Sequence, residues 1–284
     1  MFWQTTRYLL DLTQPRVMGI VNVTPDSFSD GGQHSSTTSA LKRCEQLLKD
    51  GAHILDIGGE STRPGAVPLP LQEELARIIP VLTQAVKLGV PLSVDTYKPQ
   101  VMQAALDLGV DIVNDIWALR QSGAAQVVAG HGRCGVCLMH MHREPQSMQI
   151  NPMTGDVVPQ VLLFLEQTGA SLQGLGVQKD RIVLDPGIGF GKTVAQNFAL
   201  LARQRELLAV GYPILAGWSR KSSLATVAAI DGVPLPAGER LVPSVAAALL
   251  AVERGAAIVR VHDVRETVAA LKILNAISPI ADNI

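Results

Sequence analysis

The sequence predicts an α/β protein: a single (β/α)8 TIM barrel with a short N-terminal strand or hairpin segment ahead of it. Three observations carry that prediction. Eight short apolar runs alternate with stretches whose apolar residues recur at helical spacing, the pattern of parallel βαβ units. Polar residues follow every run, as they do at the carboxyl face of a barrel; a doubly wound open sheet, the alternative, would gather them near one switch point. Only 17% of residues are charged while 47% are apolar, a balance suited to strands buried on both faces.

Taken in order, Arg7–Leu12 reads as a short edge strand closed by the Thr13-Gln14-Pro15 turn. Val17–Val23 is the first core strand and ends at Asn22. A polar loop, Thr24–Ser36, leads to a helix over Ser39–Asp50, where Ala40, Leu41, Cys44, Leu47 and Leu48 keep helical spacing and Gly51 is the stop. His53–Ile57 is the second strand, and Leu71–Leu88 the next helix. Pro91–Val94 is the third strand. Pro99 then opens a helix with Val101, Met102, Ala105 and Leu106 on one face. Asp111–Val113 is the fourth strand, ending at Asn114-Asp115, and Gly135–Met139 the fifth. A helix near Val157–Thr168 precedes the sixth strand, Arg181–Leu184, which ends at Asp185. Helix Val194–Ala209 leads to the seventh, Pro213–Ala216. Helices near Ser222–Ile230 and Ser244–Arg254 precede the eighth strand, Ala257–Val261, and Arg265–Ile277 is a final helix. With no linker or low-complexity tract, one domain over residues 1–284 is expected.

Net charge of −1 provides no basic footprint for nucleic acid. The longest strongly apolar run, Val245–Val252, is too short to span a bilayer, and Met1–Leu10 lacks the build of a signal peptide. Three cysteines argue against a disulfide framework and for a reducing compartment, so a soluble cytoplasmic protein is expected.

Two motifs invite misreading. Gly187–Thr193, GIGFGKT, resembles a phosphate-binding P-loop, but Pro186 stands where that motif needs glycine. Cys134-Gly135-Val136-Cys137, with His131, His140 and His142 nearby, has the look of a metal or redox pair, yet it runs into an apolar strand rather than a helix N-terminus. The strand-end residues differ in kind. Asp56, Asp95, Asn114, Asp115 and Asp185 form an acceptor-rich set; each alone could be a helix N-cap, but five at one barrel mouth suit a planar ligand rich in N–H donors. Asn22, Arg63, Lys221, Arg260 and His262 could hold a polyanion such as a diphosphate, although Lys221 could also be a solvated first-turn lysine. The glycine-punctuated stretch Ile54–Ala66, ILDIGGESTRPGA, has the form of a strand followed by a working loop.

Several of these segments are similar to the signatures of the dihydropteroate synthase family of pterin-binding enzymes: MGIVNVTPDSFSDGG at Met18–Gly32, LDIGGESTRPGA, SVDTYKP, VNDI, LMHM, LDPGIGFGK, GWSRKSS and RVHDV, in family order and over nearly the whole chain. The resemblance implies a pterin-binding TIM barrel, a homodimer, and Mg²⁺ as cofactor. It implies a transferase joining para-aminobenzoate to 6-hydroxymethyl-7,8-dihydropterin diphosphate, through early C–O cleavage to a pterin cation. It assigns the pterin to Asp95, Asn114, Met139, Asp185, Lys221 and Arg260. The diphosphate goes to Asn22, Thr62, Arg63, Arg260 and His262, with Asn22 also on the metal. The aminobenzoate goes to Phe28, Asp30, Arg63, Pro64, Phe190, Lys221 and Ser222. Asp95, Asp185, Lys221, Arg260 and His262 are the implied catalytic set. A pterin-binding methyltransferase barrel is the enzyme alternative, disfavoured by Ser219-Arg220-Lys221 and the TPDSFSDGG loop. A silent pterin-binding paralogue is the non-enzyme alternative, disfavoured by Phe28 and Arg63. Tyr97, Trp117, His142-Arg143-Glu144 and Pro243 depart from the usual family pattern, and all four bear on loop shape rather than on a matched catalytic position.

Overall fold

The computed structural model describes residues 1–23, 33–61, 66–144, 148 and 150–277. Strands β1 (Phe2–Gln4) and β2 (Leu9–Asp11) form an antiparallel hairpin in which Trp3 faces Leu10. The eight strands that follow are β3 (Arg16–Asn22), β4 (Ile54–Gly58), β5 (Leu92–Asp95), β6 (Ile112–Asp115), β7 (Gly135–Met139), β8 (Ile182–Asp185), β9 (Ile214–Ala216) and β10 (Ala256–Val261). They lie side by side in chain order, and β10 pairs in parallel with β3 to close the barrel. Around them run α1 (Gln33–Lys49), α2 (Leu71–Ala85), α3 (Pro99–Asp107), α4 (Ala124–Gly130), α5 (Val157–Gly174), α6 (Val194–Ala202), α7 (Gln204–Leu207), α8 (Ser222–Val227), α9 (Leu241–Glu253) and α10 (Val264–Ile277).

The period-two alternation of a strand divides the apolar side chains into two cores. Met18, Ile54, Ile112, Cys137, Val183, Leu215 and Ile258 fill the barrel interior. Their neighbours Val17, Leu55, Val113, Val136, Leu184, Ala216 and Val259 point outward and pack under the helices. One residue further on, the inward positions turn polar, and the functional residues stand on that upper layer.

The hairpin plugs the opposite end. Trp3 is fully buried against the interior core and its indole Nε1 donates to the Arg181 carbonyl at 2.9 Å. A Cβ on Gly135 would lie 3.0 Å from that Nε1 and 3.2 Å from the Gln4 carbonyl oxygen, so glycine at the start of β7 lets the hairpin approach closely. Arg7 ties the hairpin down by pairing with buried Asp111 at 2.6 Å.

The structure corrects several boundaries. β1 has only three residues, too few to show an alternation, and was missed by the pattern. The first helix begins at Gln33 rather than Ser39, because its first turns carry no apolar residue to mark them. The seven-residue α4, between glycines and built of small residues, gave no periodic signal. The expected helix Val194–Ala209 breaks at Arg203, whose backbone (φ −105, ψ 18) leaves the helical region. The helix expected over Ser222–Ile230 stops at Val227.

Trp3→Ala should leave a cavity at the barrel floor and orphan the Arg181 carbonyl. A loss of about 3–5 kcal/mol is expected, read as a lower urea midpoint at an unchanged m-value.

Candidate active site at the carboxyl ends of the strands

Strand register builds the acidic side of the mouth. Asn22, Gly58, Asp95 and Asn114 occupy one row of paired positions across β3, β4, β5 and β6. Arg260, near the end of β10, reaches across the mouth: its Nε donates to Asp56 Oδ2 at 2.6 Å and its second guanidinium nitrogen to Asp95 Oδ2 at 2.5 Å. Asn114 Nδ2 donates to the same Asp56 oxygen at 3.1 Å. Among the described residues, the other oxygen of each carboxylate, Asp56 Oδ1 and Asp95 Oδ1, is buried without a hydrogen-bond partner, as is Ser93 Oγ. Orphaned buried acceptors are costly unless a ligand's donors complete them. Two carboxylates share one cation here, so this side carries an excess negative charge. Burial pushes Asp95 up to about 7; Arg260 opposes the shift and Asp56 adds to it. Burial works against the Arg260 charge too, but Asp56 and Asp95 together hold it above its ordinary value.

The basic side is built on β8 and α8. Asp185 ends β8, is 6% exposed, and accepts the Gly187 N–H at 2.6 Å. Burial pushes its carboxyl up, against Gly187, Lys221, Lys192 and Arg260. Lys221 caps α8 with extended backbone and sets its ammonium 4.2 Å from the centre of the Phe190 ring, a cation–π contact. Burial lowers it to about 8, with Asp185 resisting. The side chain is half-buried, with its ammonium against the Phe190 ring. Ser222 is exposed at the first position of α8, which spans only six residues. Met139 and Phe190 are buried in one apolar cluster with Ile116, Met141 and Met148, beside Tyr97 and Trp117.

His262 follows β10. Ser219 Oγ accepts from the His262 backbone N–H at 3.1 Å and lies 2.9 Å from Nδ1. With the hydroxyl donating to Nδ1, Nε2 carries the ring proton. Burial, reinforced by Arg260 and Arg220, pushes His262 down to about 3, so the ring is neutral and offers a donor rather than a charge. Among the described residues no group of three or more His, Cys, Asp and Glu could hold a metal ion. The half-buried Asn22 is the oxygen donor nearest in register to the acidic row. A single amide oxygen fits Mg²⁺ bound chiefly through substrate phosphates and water, the usual habit of that ion.

The structure thus gathers Asp95, Asn114, Asp185, Lys221, Arg260 and His262 at one mouth, with Met139 and Phe190 in the adjoining wall. Phe28, Asp30, Thr62, Arg63 and Pro64 lie outside the described residues. Asp115 is a correction. It sits one residue past Asn114, on the opposite face, and its carboxylate caps the Trp117 and Leu119 N–H groups at 2.7 and 2.8 Å instead of lining the mouth. Asp56 also plays a different part from the one expected, since it holds Arg260 and Asn114. The P-loop resemblance ends with Lys192: its Nζ is buried and donates to the carbonyl of Gly187 at 2.7 Å and that of Phe190 at 3.2 Å. The cysteine pair separates too. Cys137 belongs to the barrel interior, whereas Cys134 Sγ lies 3.3 Å from an Arg181 nitrogen. Sequence reasoning missed Glu60, Glu74 and Lys98, in which Lys98 Nζ donates to Glu60 and, at 2.6 Å, to Glu74; Tyr97 OH donates to Glu60 Oε1 at 3.0 Å. A lysine three residues beyond a strand-end Asp was the available signal.

A carboxyl raised on folding stabilises the protein fully below its unfolded value and loses that contribution as pH rises through its folded value. For Asp95 the window runs from about 4 to about 7. Stability from urea titrations should fall across that window, and the fall should be shallower in Asp95→Asn.

Comparison with known proteins places this geometry. Residues 18–262 match the family model described as pterin binding enzyme. The chain is 49% identical over 280 residues to the dihydropteroate synthase of Neisseria meningitidis serogroup B, covering 97% of both chains. It superposes with a TM-score of 0.87 and 50% identity on Burkholderia cenocepacia dihydropteroate synthase complexed with 7,8-dihydropteroate, covering 97% of this chain and 96% of that one. With the Xanthomonas albilineans enzyme bound to 4-aminobenzoic acid, the TM-score is 0.88 at 47% identity, over 95% and 96%. The chain therefore belongs to the dihydropteroate synthase family of pterin-binding enzymes.

Proposed function

We infer that this protein is a transferase that condenses 6-hydroxymethyl-7,8-dihydropterin diphosphate with para-aminobenzoate, giving 7,8-dihydropteroate and pyrophosphate. The observation that carries the reading is the acidic row. Among the described residues Asp95 Oδ1 is buried without a partner, beside an arginine and an asparagine fixed by Asp56, and so can accept from a flat ligand's N–H groups. Relatives of the same length and architecture are dihydropteroate synthases, and one is complexed with the product.

In this reading Asp95, Asn114 and Asp185 take the donors of the pterin ring. Met139 flanks it, and Arg260, tied by its edge to Asp56 and Asp95, stacks on it. Asn22, Thr62, Arg63, Arg260 and His262 receive the diphosphate. Phe28, Asp30, Arg63, Pro64, Phe190, Lys221 and Ser222 surround the aromatic amine, or a sulfonamide in its place. The C–O bond breaks first, its electron pair leaving with the diphosphate. Asp95 and Asp185 lie close to the resulting pterin cation and stabilise it electrostatically. The amine lone pair then forms the C–N bond and its proton passes to water. Asn22 would help to hold Mg²⁺, which would supply charge neutralisation for the leaving group. Two copies of the chain form a dimer.

The test is pyrophosphate release from purified protein. Release that requires both substrates supports the reading. Release without the amine, or none at all, overturns it and returns the methyltransferase or the silent paralogue. Lys221→Ala should lower kcat about a hundredfold or more while thermal unfolding stays cooperative; near-normal turnover would remove Lys221 from the site. Binding should also be ordered. The two loops that carry Phe28, Asp30, Arg63 and Pro64 are short of apolar residues, so a bound anion supplies the contacts that arrange them. A sulfonamide should bind more tightly in calorimetry when pyrophosphate and Mg²⁺ are present, and equal affinity without them would mean a preformed pocket.

A further inference from the structure

Lys192 is a buried lysine of the upper barrel for which the reaction above has no use. It is 3% exposed and lies beyond Asp185, at the far end of the turn Pro186–Gly191. Its Nζ is surrounded by backbone oxygens: the carbonyls of Gly187 at 2.7 Å, Phe190 at 3.2 Å and His140 at 3.4 Å. Two of these belong to the turn and one to the segment after β7. The same turn is also held by backbone bonds: the Phe190 N–H donates to the Gly187 carbonyl at 3.2 Å and the Met153 N–H to the Gly191 carbonyl at 2.9 Å. It passes so close to β7's exit that a Cβ on Gly187 (φ 68) would lie 1.8 Å from the His140 oxygen. Side chains anchor it as well, with Gly187 N–H donating to Asp185 Oδ1 at 2.6 Å and Gly189 N–H to Asn197 Oδ1 at 2.8 Å. At the tip, Phe190 meets Lys221.

We propose that Lys192 is a positioning residue for the aromatic-amine half of the reaction: its ammonium, drawn to three carbonyls, fixes the Gly187–Phe190 turn and so sets the Phe190 ring against Lys221. An uncharged side chain of the same length would remove the donor that the three buried carbonyls share, and the turn would relax. The charged groups facing Lys192 are Asp185 from β8, Lys221 from the cap of α8, and His140 and His142 from the segment after β7. His140 is held neutral by burial, at about 2. Burial lowers Lys192 itself to about 7, with Asp185 resisting and Lys221 adding to the fall. The three carbonyls are what an ammonium in that position requires.

This inference rests on the function proposed above, and the wild-type protein keeps the two separable. If wild type releases no pyrophosphate, the functional reading fails and the role of Lys192 fails with it. If wild type is active, the variants decide. Lys192→Met should raise KM for para-aminobenzoate about tenfold or more, while calorimetric affinity for the pterin diphosphate moves less than about threefold. Lys192→Gln, which still donates to carbonyls, should recover part of that KM; it also carries the test should the methionine variant fail to fold. A cycle with Phe190→Leu should be non-additive, because both changes act on the same ring. An unchanged aminobenzoate KM, or equal losses toward both substrates, would overturn the proposal and leave Lys192 as a packing group.

Discussion

The arginine shared between Asp56 and Asp95 is the constraint that the upper barrel depends on. A buried ionic group of this kind does little for stability, since desolvation of three charges offsets their attraction. Its effect is on specificity of arrangement. Arg260 occupies one oxygen of each carboxylate and Asn114 adds a bond to Asp56, so the remaining oxygens have fixed directions before any ligand arrives. Preorganised acceptors of this sort reorganise little when charge develops beside them, and that is the main source of electrostatic stabilisation in enclosed sites. The counting of charges also explains the polarity of the mouth. Asp56 and Asp95 exceed Arg260 by one negative charge, while Asp185 faces both Lys192 and Lys221. The result is a negative side and a positive side a few residues apart, matched to a ring rich in donors joined to an anion.

Much of this was legible in the sequence, and the misses have physical reasons. Asp95, Asn114, Asp185 and Arg260 could be found because a barrel puts strand ends at one face. Asp115 was misplaced because a strand-end run contains both faces of the strand; applying the two-residue period to the Asn114-Asp115 pair would have sent one of them outward. The partnership of Asp56 with Arg260 was not legible, since 204 residues separate them. Lys192 was hidden inside a motif that looked like something else. Its clue was local: glycines at alternate positions, all at positive φ, turn the backbone tightly, and a lysine next to them can gather its carbonyls. Trp3 was invisible because a three-residue strand carries no period.

Three positions that depart from the family's usual residues prove to be neighbours. The Tyr97 and Trp117 rings meet edge to face at 6.2 Å, and Trp117 Nε1 donates to the Arg143 carbonyl at 3.1 Å. Arg120 lies over the Trp117 ring and donates to the Met141 carbonyl at 2.9 Å. The departures therefore form a single aromatic rim above Met139 and Phe190 instead of three separate exceptions, and a change at one alters the packing of the others. The rim stands beside the acidic row without entering it, so the chemistry below can stay constant while the entrance differs.

The seam of the barrel has a consequence for synthesis. β3 leaves the ribosome well before its partner β10, yet the two must pair before the barrel is closed. At ordinary elongation rates the 204 residues between Asp56 and Arg260 take about 10–40 s to be made. Over that interval the two carboxylates lack the arginine that pairs with both, and an early collapse that buried them would be electrostatically opposed. Strands β3 to β9 are thus kept from settling around a finished interior until the final strand delivers its arginine. In the nascent chain the same charges that later organise a ligand act as a brake against premature closure.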